Sequence, residues 1–131
     1  MALMTHMRDQ SVAGPALRNA HQKVGWYLAV EYLTCTSIIG NERISIQHVQ
    51  GTQTDGYHIF HEKDTLTVAL MRGGEPMALG LNETMPLAGF LHAKSPEDIT
   101  EDHLWPLINI ILVDFVINTG KIMKEFLQKI R

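Results

Sequence analysis

The stretch Leu107-Ile108-Asn109-Ile110-Ile111-Leu112-Val113-Asp114-Phe115-Val116-Ile117-Asn118-Thr119-Gly120-Lys121 decides the fold. It opens as a nearly unbroken apolar run rich in β-branched residues, which reads as a strand buried on both faces, the kind found in parallel sheets. Asp114 closes that run. A short loop ends in Asn118, Thr119 and Gly120. From Lys121 onward, Ile122, Phe126 and Ile130 fall on one helical stripe with Met123 and Leu127 beside it. The order is therefore buried strand, carboxylate, small polar loop, amphipathic helix.

That order has a chemical use. The first amides of a helix have no partner inside it and sit at the positive end of the helix dipole, so a phosphate fits there with little help from side chains. Gly120 lets the backbone come close, Thr119 offers a hydroxyl, and Lys121 adds charge. Asp114, at the carboxyl end of the strand, can accept from ribose hydroxyls. The plainer alternative is a strand–helix connection with an ordinary cap. A nucleoside-triphosphate loop is excluded, because Phe115 stands where that motif needs its first glycine.

The totals narrow the class. A chain of 131 residues holds one domain with one core, and 45% apolar against 19% charged residues predicts a folded, soluble protein. A net charge of −3, with no basic run, gives nucleic acid no footing. Cys35 stands alone, so no disulfide framework exists; it reads as a small buried hydrophobe in a reducing, cytoplasmic setting. No stretch is long enough to span a bilayer, and the first ten residues lack the apolar centre of a signal peptide.

Outward from the deciding stretch, residues 1–14 read as a mobile arm. Pro15 suits a first helical turn, and residues 16–33 read as a helix with Leu17, Val24 and Leu28 on one face, weakened at Gly25 by about 1 kcal/mol. Trp26 and Tyr27 read as packing residues. Ile44, Ile46 and His48 alternate with polar neighbours; residues 51–56 read as a loop; residues 57–61 alternate again, so the two segments predict a hairpin. His58 and His61, three apart on a strand, point to opposite faces and do not predict a shared metal. Residues 65–71 read as a second buried strand, followed at once by Arg72, Gly73, Gly74, Glu75, Pro76 and Met77. The two glycines free the backbone for unusual dihedrals or close ligand approach. A helix then carries Met77 and Leu81 inward and stops at Pro86. Residues 87–92 read as a third strand, and residues 93–106 as an acidic loop with one helical turn near Glu101. The alternation predicts an α/β fold with a mostly parallel sheet flanked by helices, plus an N-terminal helix and a β-hairpin. In such sheets ligands sit beyond the carboxyl ends of the strands, where both glycine-bearing loops lie.

Together the two loops carry a resemblance. Met71-Arg72-Gly73-Gly74-Glu75-Pro76-Met77 resembles the Leu-Arg-Ala-Gly-Glu-x-Met loop of uracil phosphoribosyltransferases. Val113 to Lys121 resembles their Val-Asp-Pro-Met-Leu-Ala-Thr-Gly-Gly segment with equal spacing. Arg8 and Asp9, before the long helix, are similar to the family's Leu-Arg-Asp start, and residues 51–56 to its Thr-Pro-x-Gly region. The resemblance implies joining of uracil to phosphoribosyl pyrophosphate (PRPP), giving UMP and pyrophosphate in pyrimidine salvage. It also implies that Arg72, Gly73, Gly74 and Glu75 hold pyrophosphate, with Mg²⁺ bound through PRPP. Asp114 would then meet the ribose, and Asn118, Thr119, Gly120 and Lys121 the 5′-phosphate, with Arg72 and Asp114 the catalytic pair. Chemistry through an oxocarbenium-like state needs positioning and charge stabilisation rather than a nucleophilic side chain.

Three departures stand beside the resemblance. Lys121 replaces the second glycine of Thr-Gly-Gly. Residues 93–106 offer only Lys94 to a phosphate. The chain ends at Arg131, where the family continues into further strands and a uracil-recognising tail. The expectation is thus a single, C-terminally short phosphoribosyltransferase-like domain that self-associates through its open sheet edge. The alternative is a non-catalytic phosphoribosyl- or phosphate-binding or assembly subunit lacking the base pocket.

Overall fold

The computed structural model describes residues 2–34 and 39–131; Cys35, expected as a buried hydrophobe, lies outside them. The chain runs α1 (Ala2–Arg8), α2 (Pro15–Leu28), a π-helical continuation (Ala29–Thr34), β1 (Asn41–Gln47), β2 (Gln53–Ile59), a 3-10 turn (Glu62–Asp64) and β3 (Thr65–Leu70). It continues through α3 (Glu75–Thr84), β4 (Gly89–Ala93), a second 3-10 turn (Pro96–Asp98), α4 (Glu101–Leu104), β5 (Asn109–Val113) and α5 (Lys121–Ile130). The α/β class holds: β1 and β2 form the antiparallel hairpin, and β4, β3 and β5, in that spatial order, form a parallel sheet.

β3 is the middle strand and is buried along its whole length. Its alternation sends Leu66, Val68 and Leu70 to one face, where they meet Ala93, Ile99 and the Phe126 anchor of α5. Ala69 faces the other way, into a cluster with Val113, Met77, Ala78, Leu81 and Met85. Helices therefore cover both faces, as a parallel sheet requires. The register sets Leu70 opposite Ala93 and Ala69 opposite Val113, so the three strands finish within one residue of one another. The turns after β3 and β5 open on one rim.

α2 and α3 touch backbone to backbone. A Cβ on Gly25 would lie 1.9 Å from the Met77 carbonyl oxygen, and one on Gly80 would lie 1.8 Å from the Gln22 carbonyl oxygen. The helix-weakening Gly25 is thus the residue that lets the two helices meet.

Several expectations are corrected. The arm at the N-terminus contains a helix, α1, because Leu3, Met4 and Met7 share a stripe that packs on the core cluster beneath α2. The reading of β5 as buried on both faces fails for Asn109 to Leu112, which are only half-buried, since β5 lies at the sheet edge. The loop at residues 51–56 is mostly strand: β2 begins at Gln53, its polar residues facing solvent across an Arg43–Asp55 ion pair. Trp26 and Tyr27 stand 46% and 41% exposed, and Ile122 59% exposed, so none is a core residue; α5 is anchored by buried Phe126, with Met123 and Ile130 packed beside it.

Candidate functional site

The turn after β3 is built by packing. Met71 N–H donates to the Ala93 carbonyl at 2.8 Å, tying the start of the turn to β4, and the Met71–Arg72 peptide is cis. Gly74 N–H donates to Leu70 O at 2.9 Å, and Ala78 N–H in turn to Gly74 O, so the turn runs straight into α3. Pro76, placed in the first helical turn, needs no N–H there. Gly74 has φ −75°, which any residue adopts. Its glycine is required by space: a Cβ would lie 2.1 Å from the Val113 carbonyl oxygen of β5 and 2.9 Å from Leu70 O. At Gly73 a Cβ would lie 2.1 Å from Cδ1 of Phe115. The two glycines therefore serve the approach of the second loop to the first, which corrects the expectation of unusual dihedrals.

The turn after β5 faces it across that contact. Asp114 is half-buried, and its Oδ1 accepts from Phe115 N–H at 2.8 Å. Gly120 takes φ +73°, a left-handed conformation that favours glycine, and leads directly into α5. Thr119 Oγ1 accepts from Lys121 N–H at 3.3 Å, and Lys124 N–H donates back to Gly120 O. The amides of the first turn of α5 point toward the loop, with the dipole behind them. Asp114, Asn118, Thr119, Gly120 and Lys121 together line an open cleft of about 260 Å³, with Val116, Ile117, Ile122 and Met123 completing its wall.

The structure thus brings the second set of expected residues into one cleft and lays the first set against it, joined by Gly73–Phe115 and Gly74–Val113. Arg72, Gly73, Gly74 and Glu75 do not line that cleft. Arg72 and Lys121 are exposed cations on the rim. Two histidines escaped the sequence reading. His92, near the end of β4, places Nε2 3.6 Å from Oε1 of Glu75. His21, on α2, is 9% exposed and packs its ring 5.8 Å from that of Phe115, and burial holds its pKa below the ordinary imidazole value. The overlooked signal for His21 lies in the same spacing that marks Val24 as inward.

His58 and His61 face separate carboxylates, Glu42 at 3.2 Å and Asp64 at 3.1 Å. Among the described residues no group of three or more His, Cys, Asp or Glu side chains is placed to hold a metal ion. Nor is any helix among them long and apolar enough to cross a membrane.

Comparison with known proteins agrees with this geometry. A uracil phosphoribosyltransferase from Sulfolobus acidocaldarius is 23% identical over 145 aligned positions, which span 97% of this chain and 66% of that protein. The solved AQ2163 protein of Aquifex aeolicus superposes with a TM-score of 0.74 at 18% identity, covering 98% of this chain and 64% of that one. The chain therefore spans about two-thirds of the length of these relatives. The family model for uracil phosphoribosyltransferases matches residues 1–131, the whole sequence. On that match, and with the parallel sheet and its two turns in place, the chain belongs to the uracil phosphoribosyltransferase family.

Proposed function

We propose that this chain binds PRPP across its two turns and serves transfer of the ribose 5-phosphate to uracil, a step of pyrimidine salvage. One observation carries the reading: the turns after β3 and β5, distant in sequence, abut at the same end of one parallel sheet. A sugar bearing a phosphate at one end and a pyrophosphate at the other matches two adjoining anion sites. In this reading Asn118, Thr119, Gly120 and Lys121 hold the 5′-phosphate at the start of α5, and Asp114 accepts from the ribose hydroxyls. Arg72, Gly73 and Gly74 hold the pyrophosphate, with Glu75 at the entry to α3. Arg72 and Asp114 are the residues closest to the reacting bond. The C1′–oxygen bond to pyrophosphate breaks with the electron pair leaving on pyrophosphate. The uracil N1 bonds to C1′, and its proton passes to the departing pyrophosphate. Arg72 then stabilises charge growing on the leaving group.

Mg²⁺ enters this reading through the substrate. That ion keeps several waters and is commonly held by substrate phosphates with one or two carboxylates. In this reading Asp114 and Glu75 are the carboxylates at hand. When bound, the ion neutralises the pyrophosphate.

Calorimetric titration with PRPP and Mg²⁺ tests the reading, with saturable heat expected. No heat at millimolar ligand contradicts it. An assay with radiolabelled uracil then separates the enzyme from a non-catalytic PRPP-binding subunit. The second reading is favoured by Lys121 where the family pattern has glycine: binding without UMP formation would establish it. Self-association through the β5 edge belongs to the same proposal, since half-buried Ile110, Ile111 and Leu112 lie on that strand. Sedimentation should give a species heavier than 14.8 kDa, and a monomer at all concentrations contradicts it.

A further inference from the structure

The two loops depart from the family pattern at neighbouring points. Gly73 stands where the pattern has Ala, and Phe115 where it has Pro. In space the departures meet. A Cβ on Gly73 would lie 2.1 and 2.3 Å from Cδ1 and Cε1 of Phe115, so the ring occupies the room that the alanine methyl would take. The ring also packs against His21, whose centroid lies 5.8 Å away at an interplanar angle of 33°. Phe115 is 47% exposed, too open to be a core residue, yet it bridges the turn after β3, the start of the turn after β5 and helix α2. Backbone spacing between the turns is set just beside it, where Gly74 meets Val113 O.

We propose that Phe115 is a positioning residue, whose ring, seated in the space left by Gly73 and touching His21, holds the pyrophosphate turn at a set distance from Asp114. The inference rests on the PRPP reading for its consequence and on contacts alone for its mechanics. A ligand that spans both turns is bound well only when they are spaced to match it, and small misplacement is costly. Gly73 and Phe115 are then a coupled pair: alanine at position 73 is harmful because the ring is there.

The test is a double-substitution cycle with two readouts. Amide hydrogen exchange, which needs no ligand, is measured on the wild-type chain and on Phe115→Ala. Exchange at residues 72–74 is expected to speed up about tenfold, while Lys124 and later amides of α5 stay unchanged. Equal protection of the turn in both proteins overturns the proposal. Calorimetry with PRPP and Mg²⁺ is run on Gly73→Ala, Phe115→Ala and the double variant. Each single change is expected to weaken binding about tenfold, and the double variant to match Phe115→Ala within about twofold. Losses that multiply in the double variant overturn the coupling. If the wild-type chain binds no PRPP, the proposed function fails while the exchange comparison still decides the mechanical claim. Should Phe115→Ala not fold, Phe115→Val removes the ring from Gly73 and keeps an apolar side chain for the same two comparisons.

Discussion

At Gly74 a single hydrogen atom decides whether two turns can touch. Its backbone is ordinary, and the Val113 carbonyl stands where a methyl would go. Gly74→Ala must therefore push β3 and β5 apart, at a cost of about 1–3 kcal/mol. Urea denaturation measures it; a change within experimental error would mean that the turns are not in contact. Arg72 is exposed and carries no comparable packing role, so Arg72→Ala is expected to leave the melting temperature nearly unchanged and to weaken inhibition by pyrophosphate. Unaltered inhibition counts against its assigned role. Asp114→Asn is expected to weaken PRPP binding, and equal affinity means the ribose contact is misassigned.

His21 adds a pH dependence of known sign. Burial favours its neutral form, so its pKa in the folded chain lies below the ordinary 6.5. The unfolded chain then takes up a proton at higher pH than the folded one. The contribution to stability is full above that value and is lost as pH falls from it through the folded pKa. Thermal melts at about pH 7.5 and about pH 5.5 should show a drop that His21→Gln reduces. An identical drop in the variant contradicts the assignment.

At single residues, the sequence marks positions that the structure brings into one cleft, Asp114, Thr119 and Gly120. Asp114, Thr119 and Gly120 stand out because a carboxylate, a hydroxyl and a glycine between strand and helix suit a phosphorylated sugar. Gly73 and Gly74 stood out as well, but the packing that requires them did not. Their meaning depends on a strand contributed by residues forty positions away, and no local pattern reports what occupies the space beside a missing Cβ.

Among the elements, the long periodic ones were the most readable. α5 begins and ends as the stripe of Ile122, Phe126 and Ile130 predicts, although only Phe126 is buried. Phe126 is the buried centre of the attachment of α5, with Met123 and Ile130 packed beside it. Phe126→Ala is expected to cost about 3–5 kcal/mol in urea denaturation. A loss under about 1 kcal/mol would show that α5 is held by something else. The hairpin was legible from alternation, but the start of β2 was not, because Gln53, Thr54 and Asp55 have loop composition and earn strand geometry from the register opposite Gln47, Ile46 and Ser45. α1 was missed for its brevity: Leu3, Met4 and Met7 make one apolar stripe, too short to stand alone, that forms by packing on α2. The reverse error occurred at β5. Its apolar run has the composition of a doubly buried strand, and only the sheet order reveals that β3 holds that place and β5 the edge.

For the molecule as a whole, the sheet does the organising. Three parallel strands ending within one residue of one another bring two turns, separated by about a third of the chain, to one rim, and helices on both faces keep the strands in place. The exposed Ile117 and Ile122, beyond the carboxyl end of half-buried β5, mark the side of the rim that this chain leaves apolar. The central claim is that the two turns grip one phosphorylated sugar. Backbone amide NMR during titration with PRPP and Mg²⁺ tests it most directly. The account predicts that amides of residues 72–75 and of residues 118–121 shift together and saturate with one common dissociation constant. Shifts confined to one turn, or two turns saturating with different constants, would contradict it.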